Sequence, residues 1–113
     1  MSKLRALSWV RAARKAFESF PSKAQLNILT ALEIVIDGGK PPIAKPLKGF
    51  ESGVFEIALP FRGDAFRVVY AVQIGDDIWV LHAFQKKSTE GIKTLKHEID
   101  LVRQRLRQLK EML

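Results

Sequence analysis

Residues 54–84, VFEIALPFRGDAFRVVYAVQIGDDIWVLHAF, decide the fold. Apolar side chains alternate with others in Val54–Phe61 and again in Phe66–Ile74, and the run Ile78–Phe84 is almost continuously apolar. Alternation at every second residue is typical of a strand with one buried face, and a continuous apolar run is typical of a central strand. Because Gly75-Asp76-Asp77 is a hairpin signal, the stretch predicts three consecutive antiparallel strands.

The length of the turn at Gly75 decides which side chains share a face of this sheet. A two-residue turn places Arg67 on the face of His82 and Phe84, whereas a three-residue turn places it on the other face. The sequence leaves both arrangements open.

Helical patterns flank the strands. Arg11–Phe20 predicts one helix, and Ser22 is the predicted N-cap of a second helix that Gly38-Gly39 ends. From Thr94 onward, leucines and other aliphatic residues follow a heptad spacing of about two and a half repeats, which favours a helix packed on the sheet or on a partner over a separate coiled coil. The members of this stripe are Leu95, Ile99, Val102, Leu106, Leu109 and Leu113.

The remaining segments complete a single α+β domain over residues 1–113. Leu4–Val10 predicts a short strand, and the prolines of Lys40–Gly49 predict an extended connection. The predicted order is strand, two helices, a three-stranded antiparallel meander and a C-terminal helix. We expect a sheet of about four strands that helices cover on one side and that is partly open on the other.

Composition and charge exclude several classes of protein. The chain has 113 residues, a formal charge of +7 and no cysteine, so it holds no disulfide, thiol nucleophile or cysteine-built metal site. No apolar run approaches the roughly 18 residues of a membrane span, and the N-terminus lacks the apolar stretch of a secretory signal, so we predict a cytoplasmic protein. An arginine-rich start without acidic residues also resembles a mitochondrial presequence, but Trp9, Val10 and Phe17 fit a folded strand and helix better.

Charge is concentrated at the two ends of the chain. Residues 1–15 carry a net charge of +5, residues 16–81 carry −2 and residues 82–113 carry +4. If the ends meet, they form a positive surface suited to a polyanion; otherwise the charges are solvated and keep the protein soluble.

Familiar catalytic motifs are absent. Gly38-Gly39-Lys40 lacks the other residues of a phosphate-binding loop, and His97-Glu98 lacks the second histidine of a zinc helix. No metal and no cofactor is therefore predicted. The sequence instead offers a set of cations beside the predicted strands, namely Lys45, Lys48, Arg62, Arg67, His82, Lys86 and Lys87.

Cleavage of RNA without a metal needs only a base, an acid and fixed cations that stabilise the phosphorane. Arg67 is the strongest candidate because it interrupts an apolar strand; the alternative is a structural ion pair with Glu56. His82 lies in an apolar run, where a hydrogen-bonded core histidine is the more common outcome. Lys86 and Lys87 are either part of the site or ordinary solvated lysines.

Five stretches of the sequence resemble one known family. They are Ala44–Gly49, Val54–Ile57, Phe66–Tyr70, Leu81–Ser88 and His97–Leu106. In this order they are similar to the phage-derived Gp49-like proteins, which are HigB-like toxins of the RelE/ParE superfamily. The resemblance covers nearly the whole chain, and its most specific part is His-Ala-Phe-Gln-Lys-Lys-Ser at 82–88.

The resemblance implies the toxin of a type II toxin–antitoxin pair, neutralised by a small antitoxin that is often a helix-turn-helix protein, with a possible hetero-oligomer between the two. RelE-like relatives cleave mRNA in the ribosomal A site. By this resemblance Arg67 matches the sheet arginine at the scissile phosphate. Lys87, with Lys86 beside it, falls near the second cation after the last strand. Lys45, Lys48 and Arg62 are the predicted RNA-binding residues.

The sequence also departs from the RelE pattern. Glu56 and Ala58 stand where RelE carries basic residues, the last helix has no tyrosine, and Leu95 replaces a proline common in the family. The general base is therefore not evident. Two other functions stay open, a ParE-like toxin that inhibits DNA gyrase without cutting anything and a non-catalytic nucleic-acid-binding protein of phage origin.

Overall fold

The computed structural model describes residues 5–87 and 92–113, with the side chains of the last helix described from Leu95 onward. The elements follow the predicted order with one addition. They are β1 (Leu7–Trp9), α1 (Arg11–Glu18), α2 (Ser22–Ile36), β2 (Ala44–Pro46), β3 (Val54–Phe61), β4 (Asp64–Ile74), β5 (Asp77–Lys86) and α3 (Ile92–Met112). The α+β class is confirmed.

Five strands form one sheet in the order β1-β5-β4-β3-β2. The meander β3-β4-β5 is antiparallel as predicted, whereas β1 pairs with β5 in parallel. The estimate of about four strands is one too low because Ala44–Pro46, predicted as an extended connection, pairs with β3. Proline has no amide hydrogen to donate to a neighbouring strand. It is tolerated there because β2 is an edge strand, on whose outer side no strand needs that hydrogen bond. The predicted first strand begins at Leu4, outside the described residues.

The turn at Gly75 contains two residues, since Ile74 pairs with Asp77. Two register shifts in the β4–β5 pair offset each other, so Arg67 pairs with Phe84 and shares a face with His82. One shift is a β-bulge at Leu81, where Tyr70 pairs with Val80 and Val69 with His82. The bulge directs two successive side chains, Leu81 and His82, towards α3.

Helices cover both faces of the sheet. One core cluster joins α1 and α2 to β3, β4 and β5 through side chains such as Ile28, Leu32 and Ile57. On the opposite face Val102, Leu106 and Leu109 of α3 pack against β3, β4 and β5. The prediction that helices cover one side only is therefore wrong, because the heptad stripe of α3 packs on the face that the helical hairpin leaves free. No helix in the described part of the chain is long and apolar enough to cross a membrane.

The start of α2 differs from the prediction. Pro21 occupies the N-cap position, Ser22 is the first helical residue, and no side chain caps this helix end. Gln25 acts on the preceding turn instead, because its side-chain amide donates to the carbonyl oxygens of Glu18 and Phe20 at 3.0 and 2.8 Å. The turn between α1 and α2 is thus held by an amide side chain rather than by a serine cap.

Candidate functional site

The α3-side face of the sheet has an apolar end and a charged end. Its apolar end lies under α3, near the turn at Gly75. Towards the turn between β3 and β4, strand alternation places Glu56, Ala58, Arg67, Phe84 and Lys86 on this same face. We call these five residues the charged face. Apart from the buried Glu56 they are all partly exposed, so a ligand can approach them from solvent.

Arg67 and Glu56 form an ion pair at the centre of the charged face. Arg67 Nη1 donates to Glu56 Oε1 at 2.5 Å. The Glu56 side chain is only 4% exposed, whereas that of Arg67 is 22% exposed. A phosphate that approaches the sheet therefore meets the cation of this pair first. The ion pair that the sequence offered as the alternative for Arg67 is present, and it leaves part of the Arg67 side chain exposed.

One nitrogen of Arg67 has no partner in the described part of the chain. Its Nε is buried and makes no hydrogen bond there. An unsatisfied buried donor is uncommon in native proteins and is often found at functional sites. The contact with Glu56 fixes one end of the guanidinium, so Arg67 is held in place with hydrogen-bonding capacity left over.

His82 belongs to a separate polar network on the same side of the sheet, between the charged face and α3. Arg105 Nη1 of α3 donates to His82 Nδ1 at 2.8 Å and to the Leu81 carbonyl oxygen at 3.0 Å. Since arginine can only donate, Nδ1 accepts, and Nε2 carries the proton that it donates to the Glu98 carboxylate. The imidazole also stacks on Phe84, with ring centroids 5.1 Å apart.

The residue is 6% exposed, and burial lowers the pKa of His82. The hydrogen bond and charge of Glu98 oppose this shift, and the charges of Arg105 and His97 add to it. His82 is therefore a neutral, hydrogen-bonded histidine at neutral pH. A histidine whose pKa is lower in the folded than in the unfolded protein contributes fully to stability above its unfolded pKa, about 6.5. That contribution is lost as the pH falls from there through the pKa of the folded state.

We expect the free energy of unfolding to fall between pH 7.5 and 5.5, and His82→Gln to reduce that fall. The wild-type slope from this group is at most about 1.4 kcal/mol per pH unit. Urea denaturation of the wild type and the His82→Gln variant at both pH values measures it. Equal pH dependence in wild type and His82→Gln would contradict the assignment.

The other predicted cations lie at different places. Lys45 lies on the edge strand β2, opposite Glu56 in the register of β2 with β3, and is therefore beside the charged face. Arg62 lies in the two-residue turn between β3 and β4 with φ of 49°, and its guanidinium is 5.4 Å from the Phe61 ring centroid. Lys87 is exposed just after β5. Lys48 lies past the other end of β3, beyond the hydrogen bond from Leu47 to Val54.

The fold thus brings Arg67 and Lys86 together on one face, with Lys45 beside them on β2 and His82 covered by α3 on the same face. It does not bring Lys48 to the same end of the sheet. In the residues that the structure describes, no group of three or more histidine and acidic side chains could hold a metal ion.

Sequence reasoning missed Glu98 and Arg105. Both lie on one side of α3, seven residues apart and next to the apolar stripe, and both bond to His82. A pair of opposite charges at this spacing beside a buried stripe was the available signal. This spacing does not show which residue Glu98 and Arg105 contact, because only tertiary packing brings His82 to the helix.

Comparison with known proteins assigns the chain to a class. A family model for phage-derived Gp49-like proteins matches residues 15–107. The chain therefore belongs to the Gp49-like family, as its sequence motifs predicted. No curated protein matches it.

Two solved structures are similar. The Escherichia coli toxin RelE, solved in the free state as a double arginine-to-alanine mutant, is 19% identical, with a TM-score of 0.61 over 87% of this chain and 97% of that one. The toxin–antitoxin complex RelBE2 from Mycobacterium tuberculosis is 17% identical, with a TM-score of 0.48 over 78% of this chain and 97% of that one. The first of these likenesses identifies the fold as RelE-like.

Proposed function

We propose that this protein is the toxin of a type II toxin–antitoxin pair and that it cleaves mRNA in the ribosomal A site. The observation that supports this most directly is Arg67, an arginine held by a buried carboxylate on an accessible sheet face. The RelE-like fold and membership of the Gp49-like family are consistent with the proposal.

The reaction proposed is metal-independent transesterification. A ribose 2′-oxygen loses its proton to a base and attacks the neighbouring 3′-phosphorus, and the bond from phosphorus to the 5′-oxygen breaks. The departing oxygen takes up a proton, which leaves a 2′,3′-cyclic phosphate and a 5′-hydroxyl. The phosphorane in between carries more negative charge than the substrate, so cations fixed in advance lower the barrier.

Arg67 is the residue proposed to stabilise the phosphorane, and Glu56 positions it. Lys86 on the same face and Lys87 after β5 supply the second cation. Lys45, Lys48 and Arg62 attract the RNA backbone. His82 is buried and fully engaged, so its proposed role is to fix the junction between β5 and α3 rather than to transfer protons.

Induced expression followed by primer extension tests this function. We expect discrete in-frame cuts in mRNA within the first minutes and no induction of the SOS response. Intact mRNA together with SOS induction would instead identify a gyrase inhibitor, and intact mRNA without SOS induction would leave a non-catalytic nucleic-acid-binding protein.

We also expect an antitoxin to bind the charged face. A small protein with a formal charge of +7 and an accessible positive face suits an acidic or amphipathic partner segment. Co-expression with the adjacent gene and a tag pull-down measures this, and the comparison is Lys45→Glu/Lys86→Glu, which reverses one charge on the charged face and one beside it. Recovery of the toxin alone at every salt concentration would contradict it.

A further inference from the structure

A second cationic feature, apart from the charged face, lies at the β1 edge of the sheet. Between β1 and α1 there is a cleft of about 520 Å³, lined among others by Trp9, Trp79, Arg11, Arg14 and Lys15. The strand order puts β1 two strands away from β4, which carries Arg67. None of the residues of the charged face lines this cleft.

Tryptophan and cationic residues line the cleft together, Trp9 from the face of the sheet that α1 covers and Trp79 from the face that α3 covers. The chain has two tryptophans, and both line the cleft. Three basic side chains of α1 face one acidic side chain, that of Glu18. Glu18 makes only a loose contact of 3.9 Å with Arg14, and both side chains are largely exposed. Among the described residues, Arg11 and Lys15 have no carboxylate partner, so their charge is available to a ligand.

The two indole rings are held in place but remain partly exposed. Trp9 packs on Phe17 of α1, with ring centroids 5.0 Å apart. Trp79 of β5 packs against the apolar cluster under α3. Rings anchored in this way can contact a ligand without losing much side-chain entropy, because the fold has already ordered them.

Aromatic rings beside cations are the chemistry of single-stranded nucleic acid binding. Bases stack on the rings, while guanidinium and ammonium groups neutralise phosphates. The volume lies within the range of about 300–1,000 Å³ typical of small-ligand sites, which suits one nucleotide. An acidic peptide would pair with the cations but would make no use of two indoles.

We infer that the cleft between β1 and α1 binds single-stranded RNA, with a base against the indoles of Trp9 or Trp79 and the flanking phosphates on Arg11 and Lys15. This deepens the proposed function, on which it rests for the identity of the polyanion. The protein then binds RNA at two places. The cleft increases the affinity for RNA, and the charged face carries the groups proposed to take part in cleavage.

Intrinsic fluorescence tests the inference, because the only tryptophans of the chain line the cleft. The probe is a 2′-O-methyl RNA hexamer, which lacks the attacking hydroxyl and stays intact. We expect saturable quenching in the wild type. Arg11→Gln/Lys15→Gln should weaken binding about tenfold or more and lower the salt slope by about 1.4, since each single-strand phosphate contact contributes about 0.7.

Three comparisons make the result decisive. Lys23→Gln/Lys96→Gln removes the same charge from exposed positions outside the cleft and should bind nearly as tightly as the wild type. Glu56→Gln/Arg67→Gln should be quenched normally even when cleavage is lost, which separates this site from the proposed active site. Trp79→Leu should weaken binding of a labelled hexamer measured by anisotropy.

The inference is overturned if the hexamer causes no quenching, or if the Lys23 and Lys96 control weakens binding as much as the cleft variant. Equal quenching by an oligoglutamate peptide would overturn it as well and would identify the cleft as a peptide site. The hexamer can quench the wild type but not the cleft variant while mRNA stays intact in cells. That result would support the RNA site in the cleft and contradict the proposed mRNA cleavage.

Discussion

Arg67→Ala is expected to slow mRNA cleavage on programmed ribosomes by two to three powers of ten at saturating toxin, and to abolish growth inhibition. Removing one preorganised donor to a developing charge typically costs about 3–4 kcal/mol in the transition state. Arg67 is fixed by Glu56 and partly exposed on the charged face, so it meets the conditions for such a donor.

Single-turnover kinetics distinguish this role from simple attraction of RNA. Lys87→Ala should weaken cleavage and Lys86→Ala should weaken it less. Arg62→Ala should change affinity and salt dependence with little effect on the chemical step, because a residue that only attracts phosphate acts on binding. His82→Gln should remain toxic. A wild-type rate for Arg67→Ala at saturation would show that Arg67 is structural or only adhesive.

The same substitution should also destabilise the fold. Arg67→Ala leaves the buried Glu56 carboxylate without its cation, and breaking a buried ion pair costs about 3–5 kcal/mol. We expect the lower end, about 3 kcal/mol, because Arg67 keeps part of its side chain in solvent. For a domain of this size that lowers Tm by roughly 10 °C or more.

A double-mutant cycle isolates the ion pair. Arg67→Gln alone should be destabilised like Arg67→Ala, whereas Glu56→Gln/Arg67→Gln removes both charges and should recover most of that loss, because two neutral amides no longer leave a buried charge unpaired. The matched control is the exposed pair of Arg14 and Glu18, where Arg14→Ala should change stability by less than about 1 kcal/mol. Additive effects of the Glu56 and Arg67 substitutions would contradict this account. The double variant also provides a stable protein for testing loss of cleavage.

The sequence predicted the elements whose patterns are long. Alternation over eight or more residues specified β3 and β4, and the heptad stripe specified α3. It did not predict β2, because three residues that include Pro46 carry no period. The face on which α3 packs was also beyond the sequence, since an apolar stripe shows that a helix is buried but not against which side of a sheet.

For the site, sequence supplied the residue types and the structure supplied their pairing. The alternation of β4 made Arg67 conspicuous, and Glu56 was its predicted partner in one of two alternatives. The network of His82 with Glu98 and Arg105 could not be predicted. It depends on a bulge at Leu81 and on contacts between residues 16 and 23 positions apart.

The parallel pairing of β1 with β5 has a consequence for how the chain folds during synthesis. Leu7 pairs with Ile78, so about 70 residues must be closed into a loop before the first strand joins the sheet. Until β5 leaves the ribosome, β1 has no strand beside it and the cleft lacks Trp79. A nascent chain that stops before β5 can form the helical hairpin but not this edge. We therefore expect completion of the β1 edge to be among the last events in folding, with a rate limited by topology rather than by local helix or hairpin formation.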